Sequence, residues 1–490
     1  MKEGPIPLIY EESVPGRRGV TLPEPDVPPS PLPAELLRDD LTLPETDELT
    51  VVRHFTRLSR LNFSIDGQFY PLGSCTMKYN PRMNEEAAGL PGFRRAHPLL
   101  GPMESQGALA LIWKLEECLK KITGFTAFSL QGAAGAQGEF AGVLMIRAYH
   151  RDRGDHGRRR MLIPDSAHGT NPATCTMAGF TTETIPSTPT GELDLEALKN
   201  ACAGEKALTL AGIMITNPNT LGLFEPRIRE IIALVHNAGG LVYGDGANMN
   251  ALLGVLKPAD LGFDVMHLNL HKTFSTPHGG GGPGAGAVGA GHLLADYLPG
   301  PVASKTGETY GPVTPPRSIG RLKAFYGNFG VLVRAYAYIR LLGREGIRRV
   351  GEQAVLNANY VKAQIKDRYP LPFGAERPCM HEFAASPNLG NGISTLDIAK
   401  RLIDYGFHPP TVYFPLIVKE ALMVEPTETE SKETLDAFIA ALRAIVVEAA
   451  TAPELLHGAP HDTPVGRLDE TAAARKPILR SSVPPRTVVP

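Results

Sequence analysis

The run DVMHLNLHKTFSTPHGGGGPGAG, Asp264 to Gly286, decides the fold. It opens as a short apolar stretch, reads as a buried strand, and stops at His271-Lys272. Four consecutive glycines, Gly279 to Gly282, follow and would let backbone pass close to a bound group. A lysine at the end of a buried strand must find a counterion or lose its charge. A neutral amine in a dry pocket is also what Schiff-base chemistry requires. Taken alone, Lys272 reads as a surface lysine beside a flexible loop.

Outward from this run, short apolar strands alternate with helices. The strands are FTAFSL (Phe125–Leu130), RMLIP (Arg160–Pro164), FTTETIP (Phe180–Pro186), LTLAGIMIT (Leu208–Thr216) and LVYGD (Leu241–Asp245). Helical periodicity spans 108–124, 139–151, 193–202 and 227–240. That pattern predicts βαβ units and an α/β fold with a mainly parallel sheet. A long helix, FGVLVRAYAYIRLLG, leads into a smaller α+β region. The expected boundaries are a Pro-rich arm over 1–60, a large domain over 61–325, a small domain over 326–450 and a tail over 451–490. Segments such as LPEPDVPPSPLPAELL cannot form a long helix and should run extended over a surface, the chain's own or a partner's.

Ligands of open parallel sheets bind beyond the carboxyl ends of the strands, so those loops carry the candidates. QGAAGAQGE (Gln131–Glu139) can cradle an anion on backbone amides, with a helix beginning at about Gly138; alone it reads better as a tight packing turn. DSAHGTNPA places His168, Thr170 and Asn171 in one loop, for stacking or proton transfer, or merely to cap a helix. Thr216 ends one strand and Asp245 another; a carboxylate there either caps a helix or meets a cation of the ligand. An anion cradle, a flat imidazole, a strand-end carboxylate and a strand-end lysine are together the parts needed to hold pyridoxal phosphate.

Composition restricts the rest. The chain has 490 residues, is 43% hydrophobic and 20% charged, and carries a formal charge of -2. That is ordinary globular composition with no broad attraction to nucleic acid or anionic membrane. The basic run Arg151–Arg160 reads as a solvated loop rather than a phosphate patch. Five scattered cysteines without a CxxC pair argue against a disulfide framework or zinc ribbon and suit a reducing compartment. With no signal segment and no membrane-spanning stretch in evidence, a soluble cytoplasmic protein without a metal is expected.

The sequence resembles the fold-type I pyridoxal-phosphate enzymes. More narrowly, it is similar to the lysine-bearing half of the P-protein family of the glycine cleavage system, as in its separate bacterial subunit 2. YPLGSCTMKYNP (Tyr70–Pro81), PDSAHGTNPA (Pro164–Ala173), GDGANMNA (Gly244–Ala251) and the Lys272 run carry the likeness in the large domain. FHPPTVYFP (Phe407–Pro415) and MVEPTETES (Met423–Ser431) carry it in the small one. The resemblance implies decarboxylation of glycine and transfer of the aminomethyl group to the lipoyl group of the H-protein. It implies Lys272 as the Schiff-base lysine, Asp245 against the ring nitrogen, His168 stacked on the ring and Ala247 on its other face. His271 and the amides of Gly135 and Ala136 would hold the phosphate, with Thr170 and Thr216 in the same crevice. Ser74, Cys75, Thr76 and Lys78 are expected near the substrate. A lysine-less subunit 1, in an α2β2 assembly, is the implied partner. Another pyridoxal-phosphate decarboxylase, an aminotransferase or a non-catalytic assembly subunit are the competing readings.

Overall fold

The computed structural model describes residues 6–37, 43–97, 100–278 and 284–479. The glycines Gly279 to Gly282 lie outside them, as does the end of the C-terminal tail. The chain forms two compact units, Met1–Gly67 with Gly458–Pro490, and Gln68–His457. In the first, the helix Glu48–Ser59 is capped by Asp47, whose carboxylate accepts from the Thr50 amide. Glu12 meets both His54 and Arg57 of that helix, and the proline-rich residues 13–33 contain no helix or strand.

The second unit is built on a seven-stranded sheet. Its strands are β1 (Ala127–Gly132), β2 (Arg160–Pro164), β3 (Thr181–Ile185), β4 (Leu210–Thr216), β5 (Leu241–Gly246), β6 (Val265–Asn269) and β7 (Gly286–Ala290). The order across the sheet is β1-β7-β6-β5-β4-β2-β3. Strands β2 to β6 pair in parallel, and β7 is inserted antiparallel to both β1 and β6. The mainly parallel α/β sheet expected from the alternation is therefore present. Strand β7, GAVGA, was not in that reading because its glycines and alanines give no apolar periodicity. Small residues there are a packing requirement: a Cβ at Gly289 would lie 2.4 Å from the Phe128 ring. Both faces of the sheet are covered, so β4, β5 and β6 are buried along their whole length.

A hairpin of β8 (Val302–Thr306) and β9 (Thr309–Val313) follows. Residues 329–365 are helical except at Gly343, whose φ of 61° breaks the run where the sequence pattern ended it. A three-stranded antiparallel sheet comes next: β10 (Phe383–Ala385), β11 (Thr411–Val412) and β12 (Leu422–Val424), in the order β10-β12-β11. It shares an apolar core around Phe383, Phe438 and Leu442 with the flanking helices. Within the basic run, Arg158 donates to the carbonyls of Ala207, Leu210 and Ala238, tying chain ends together. All five cysteines are free, and no described helix is long and apolar enough to cross a membrane.

Candidate active site

The carboxyl ends of β1, β2, β4, β5 and β6 open onto one cavity of about 220 Å³. Ser74, Gly135, Ala136, His168, Thr170, Thr216, Asp245, Ala247, His271 and Lys272 line it, together with Glu139, Thr220, Asn248, His267 and Asn269. Of the expected residues, Cys75, Thr76 and Lys78 are not in this lining. Thr76 and Lys78 are buried and engaged elsewhere, and the Cys75 thiol lies 3.7 Å from His278 Nδ1.

Each wall has a local cause. The turn after β1 runs into the helix Gly135–Asp152, which starts three residues earlier than the sequence pattern placed it. No side chain caps that helix, so its first amides and the positive end of its dipole face the cavity. Glycine is required at 135, where a Cβ would sit 2.4 Å from Asn269 Nδ2. Across from it, the Thr216 hydroxyl at the end of β4 is buried without a hydrogen-bond partner, as is Asn269 Oδ1. The free amides at the helix start suit an anion such as a phosphate, and the orphaned Thr216 hydroxyl is left to meet another polar group of a ligand.

Asp245 ends β5, fully enclosed. Burial alone would raise its pKa, but His267 at 3.6 Å, the Ala247 amide, Asn171 and Lys272 together hold it below the usual carboxylate range. His267 is itself fixed by the Tyr243 hydroxyl at 2.5 Å. Glu139, in the helix Gly135–Asp152, is tied to the segment after β2: Thr170 donates to its Oε2 at 2.9 Å and Asn171 to its Oε1 at 3.0 Å. An ionised Asp245 in such a setting is a fixed acceptor for a cationic N–H.

His168 sits at the cavity mouth, exposed, with Nδ1 2.9 Å from the Thr170 hydroxyl and Phe414 edge-on at 5.5 Å. Surrounding protein still holds its imidazolium below the ordinary range. Burial, followed by the neighbouring His278 and Lys272, lowers His271 to about 3, so it is a neutral ring accepting from the Ala285 amide at Nδ1. Lys272 lies in the helical turn Leu270–Thr273 and donates from Nζ to the Ser74 carbonyl at 2.7 Å.

Ser74 owes its position to a left-handed backbone, φ 63°, in a segment pinned to the small sheet by Gly73 N–H donating to the Met423 carbonyl. Glu139, Asn248, His267 and Asn269 had no role in the sequence reading, and Asn171 had one only as a member of its loop. Their signal was there in part, because each lies within or next to a loop or strand already singled out.

Residues 350–459 match the family described as glycine dehydrogenase, C-terminal domain. A protein of Caldanaerobacter subterraneus subsp. tengcongensis, described as probable glycine dehydrogenase (decarboxylating) subunit 2, is 55% identical over 481 residues. The alignment covers 96% of this chain and 98% of that protein. A Pyrococcus furiosus protein with the same description is 55% identical over 482 residues, covering 96% and 95%. Among solved structures, the inhibitor-bound glycine decarboxylase (P-protein) of the glycine cleavage system superposes with a TM-score of 0.71 at 23% identity, over 84% of this chain and 93% of that one. An apo cysteine desulfurase from Thermococcus onnurineus superposes with a TM-score of 0.60 at 16% identity, over 78% and 95%. These two share the fold. The chain belongs to the glycine dehydrogenase (decarboxylating) subunit 2 family.

Proposed function

We propose that this chain binds pyridoxal phosphate through Lys272, decarboxylates glycine and passes the aminomethyl group to a lipoylated carrier protein. One observation carries the reading. Lys272, an ionised Asp245, His168 and the uncapped helix start at Gly135 converge on a single cavity.

The residues present fit that cofactor. The Gly135 and Ala136 amides and the neutral His271 would hold its phosphate, with the Thr216 hydroxyl on the facing wall of the same crevice. Asp245 would accept from its ring N–H, with Ala247 and His168 on either side of the ring. When bound, the cofactor supplies an aldehyde for amines and a protonated ring that accepts the electron pair left by departing CO2.

The chain's own groups do the rest. The Ser74 carbonyl orients the Lys272 nitrogen and can hold a proton-bearing amine when substrate displaces it. Asp245, kept ionised by His267 and Asn171, maintains the charge on the nitrogen it meets. His168, with Nδ1 against Thr170, is left with Nε2 to take or give a proton at the cavity mouth. Ser74 is the member of its segment that faces substrate; Cys75, Thr76 and Lys78 secure that segment.

The relatives' description as subunit 2 supports a lysine-less subunit 1 as partner, in an α2β2 assembly, with the proline-rich arm of 1–60 as a holding element. On this reading 61–325 is the cofactor-binding domain and 326–450 the smaller one, in the cytoplasm. The test is exchange of labelled bicarbonate into the glycine carboxyl group, using the chain with subunit 1 and lipoylated carrier. Exchange that needs all three proteins is expected. Amino transfer to a keto acid without exchange would favour the aminotransferase reading instead.

A further inference from the structure

Behind the Ser74 wall lies a cluster that the proposed chemistry does not use. Phe383 of β10 pairs with Val424 of β12 in antiparallel register, so Glu382 and Glu425 face each other one step further along. Like charges directly opposite on neighbouring strands repel. Both residues are buried, at 0% and 1% exposure, and their carboxylate oxygens lie within 4.8 Å of each other.

The pair is tied to the active-site wall. Glu382 Oε2 accepts from the Ser74 amide at 2.7 Å, and Oε1 accepts from Asn248 at 3.1 Å. Glu425 Oε1 accepts from the Thr76 hydroxyl, while its Oε2 has no partner. His381, fully buried with both ring nitrogens unpartnered, places Nε2 3.9 Å from each carboxylate. Lys272 and Lys78 are the cations facing the cluster, and Glu428 the further acid; the thiols of Cys75 and Cys379 border it.

Charge counting leaves one choice. Lys78 is spent on Glu428 at 2.8 Å. Two ionised carboxylates would then face Lys272 alone, both buried away from bulk solvent screening. We infer that Glu382 and Glu425 hold one proton between them, and that their single remaining negative charge, across the Ser74 loop, sets how readily the Lys272 nitrogen keeps its proton.

The electrostatics agree. Burial pushes Glu382 up to about 7, against the pull of the Ser74 amide and Lys272. Burial and the charge of Glu382 push Glu425 well up. Burial drives His381 down to about 3, so it stays neutral and does not supply the missing charge. The pair is a positioning device: neither carboxylate lines the cavity, and it acts through Ser74 and Lys272.

This inference rests on Lys272 carrying the cofactor. The experiment is a spectrophotometric pH titration of the imine band of the cofactor-loaded protein, in wild type, Glu382→Gln, Glu425→Gln and the double variant. A shared proton makes the effects non-additive. Either single change lets the surviving carboxylate ionise, so the charge stays and the midpoint moves little. The double change removes the charge, and the midpoint falls by about one pH unit or more. An unmoved midpoint in the double variant, or two single shifts that sum to the double one, would overturn the inference alone. Absence of an imine band in wild type would overturn the reading of Lys272 and the inference with it. A divalent cation bound at one equivalent and lost with Glu425→Gln would also overturn it. Should the double variant fail to fold, infrared spectra of wild type and the single variants decide. A protonated buried carboxyl band at pH 6 that either single change removes is expected; a band that survives both belongs to another buried acid such as Glu116 and would be contrary.

Discussion

The Asn171 side-chain amide and the Asp245 carboxylate meet at 3.1 Å inside the site, and the same amide reaches Glu139 at 3.0 Å. One nitrogen thus secures two buried carboxylates, one from the helix Gly135–Asp152 and one from β5. Asn171→Leu removes both donors at once, leaving charged oxygens without partners. Stability should fall by roughly 2 kcal/mol or more, and cofactor retention should fall with it. Denaturant unfolding with cofactor titration reads both; unchanged values would mean the amide is dispensable.

The close approach at Gly135 gives a second expectation. Gly135→Ala brings a methyl to 2.4 Å from Asn269 Nδ2, so either the helix start or Asn269 must move. Displacing one anion-binding amide weakens cofactor binding about tenfold, the worth of one hydrogen bond to a charged group. The equilibrium constant for cofactor binding, with far-ultraviolet circular dichroism as a fold control, checks it. Equal affinity would remove the helix start from the phosphate site.

Lys78 separates a structural role from a substrate-facing one. Its ammonium group is buried against Glu428 at 2.8 Å, Asn250 at 2.9 Å and Tyr338 at 3.3 Å. Lys78→Met strands a buried carboxylate and should cost about 3–5 kcal/mol. Adding Glu428→Gln should restore most of it. A single variant of normal stability with a raised KM for glycine would instead place Lys78 at the substrate.

The start of β6, which delivers Lys272, is fixed by Asp264. Its Oδ2 accepts from the Val242 amide at 2.7 Å and from His236 at 2.8 Å. That hydrogen bond raises the pKa of His236 above its ordinary value. A raised folded-state value means the contribution is complete below the unfolded value, about 6.5, and is lost as pH climbs through the folded one. His236→Asn should therefore cost more at pH 5.5 than at pH 8.5. The imidazole is over a third exposed, so solvent screening limits the difference to about 0.5 kcal/mol. Urea unfolding at the two pH values measures it; a larger cost at pH 8.5 would reverse the sign.

Much of this architecture was legible in the chain because the strands end abruptly in chemistry-bearing residues. Thr216, Asp245 and Lys272 sit at or just past strand ends, and a parallel sheet gathers such ends at one edge. What periodicity could not show were the partners that tune them. His267 lies inside β6 and looks like core, yet it sets the charge of Asp245. Glu382 and Glu425 are 43 residues apart and become neighbours only through the β10–β12 register. Lys78 carried polar density in the sequence, but its charge is consumed by Glu428, 350 positions away.

The most direct test of the central claim is chemical. The purified chain, loaded with pyridoxal phosphate, is reduced with borohydride and its peptides are mapped by mass spectrometry. A visible band that disappears on reduction, with one pyridoxyl group on Lys272, is the predicted result. Labelling of another lysine, or no labelling of the chain either alone or with its partner subunit, would contradict the account.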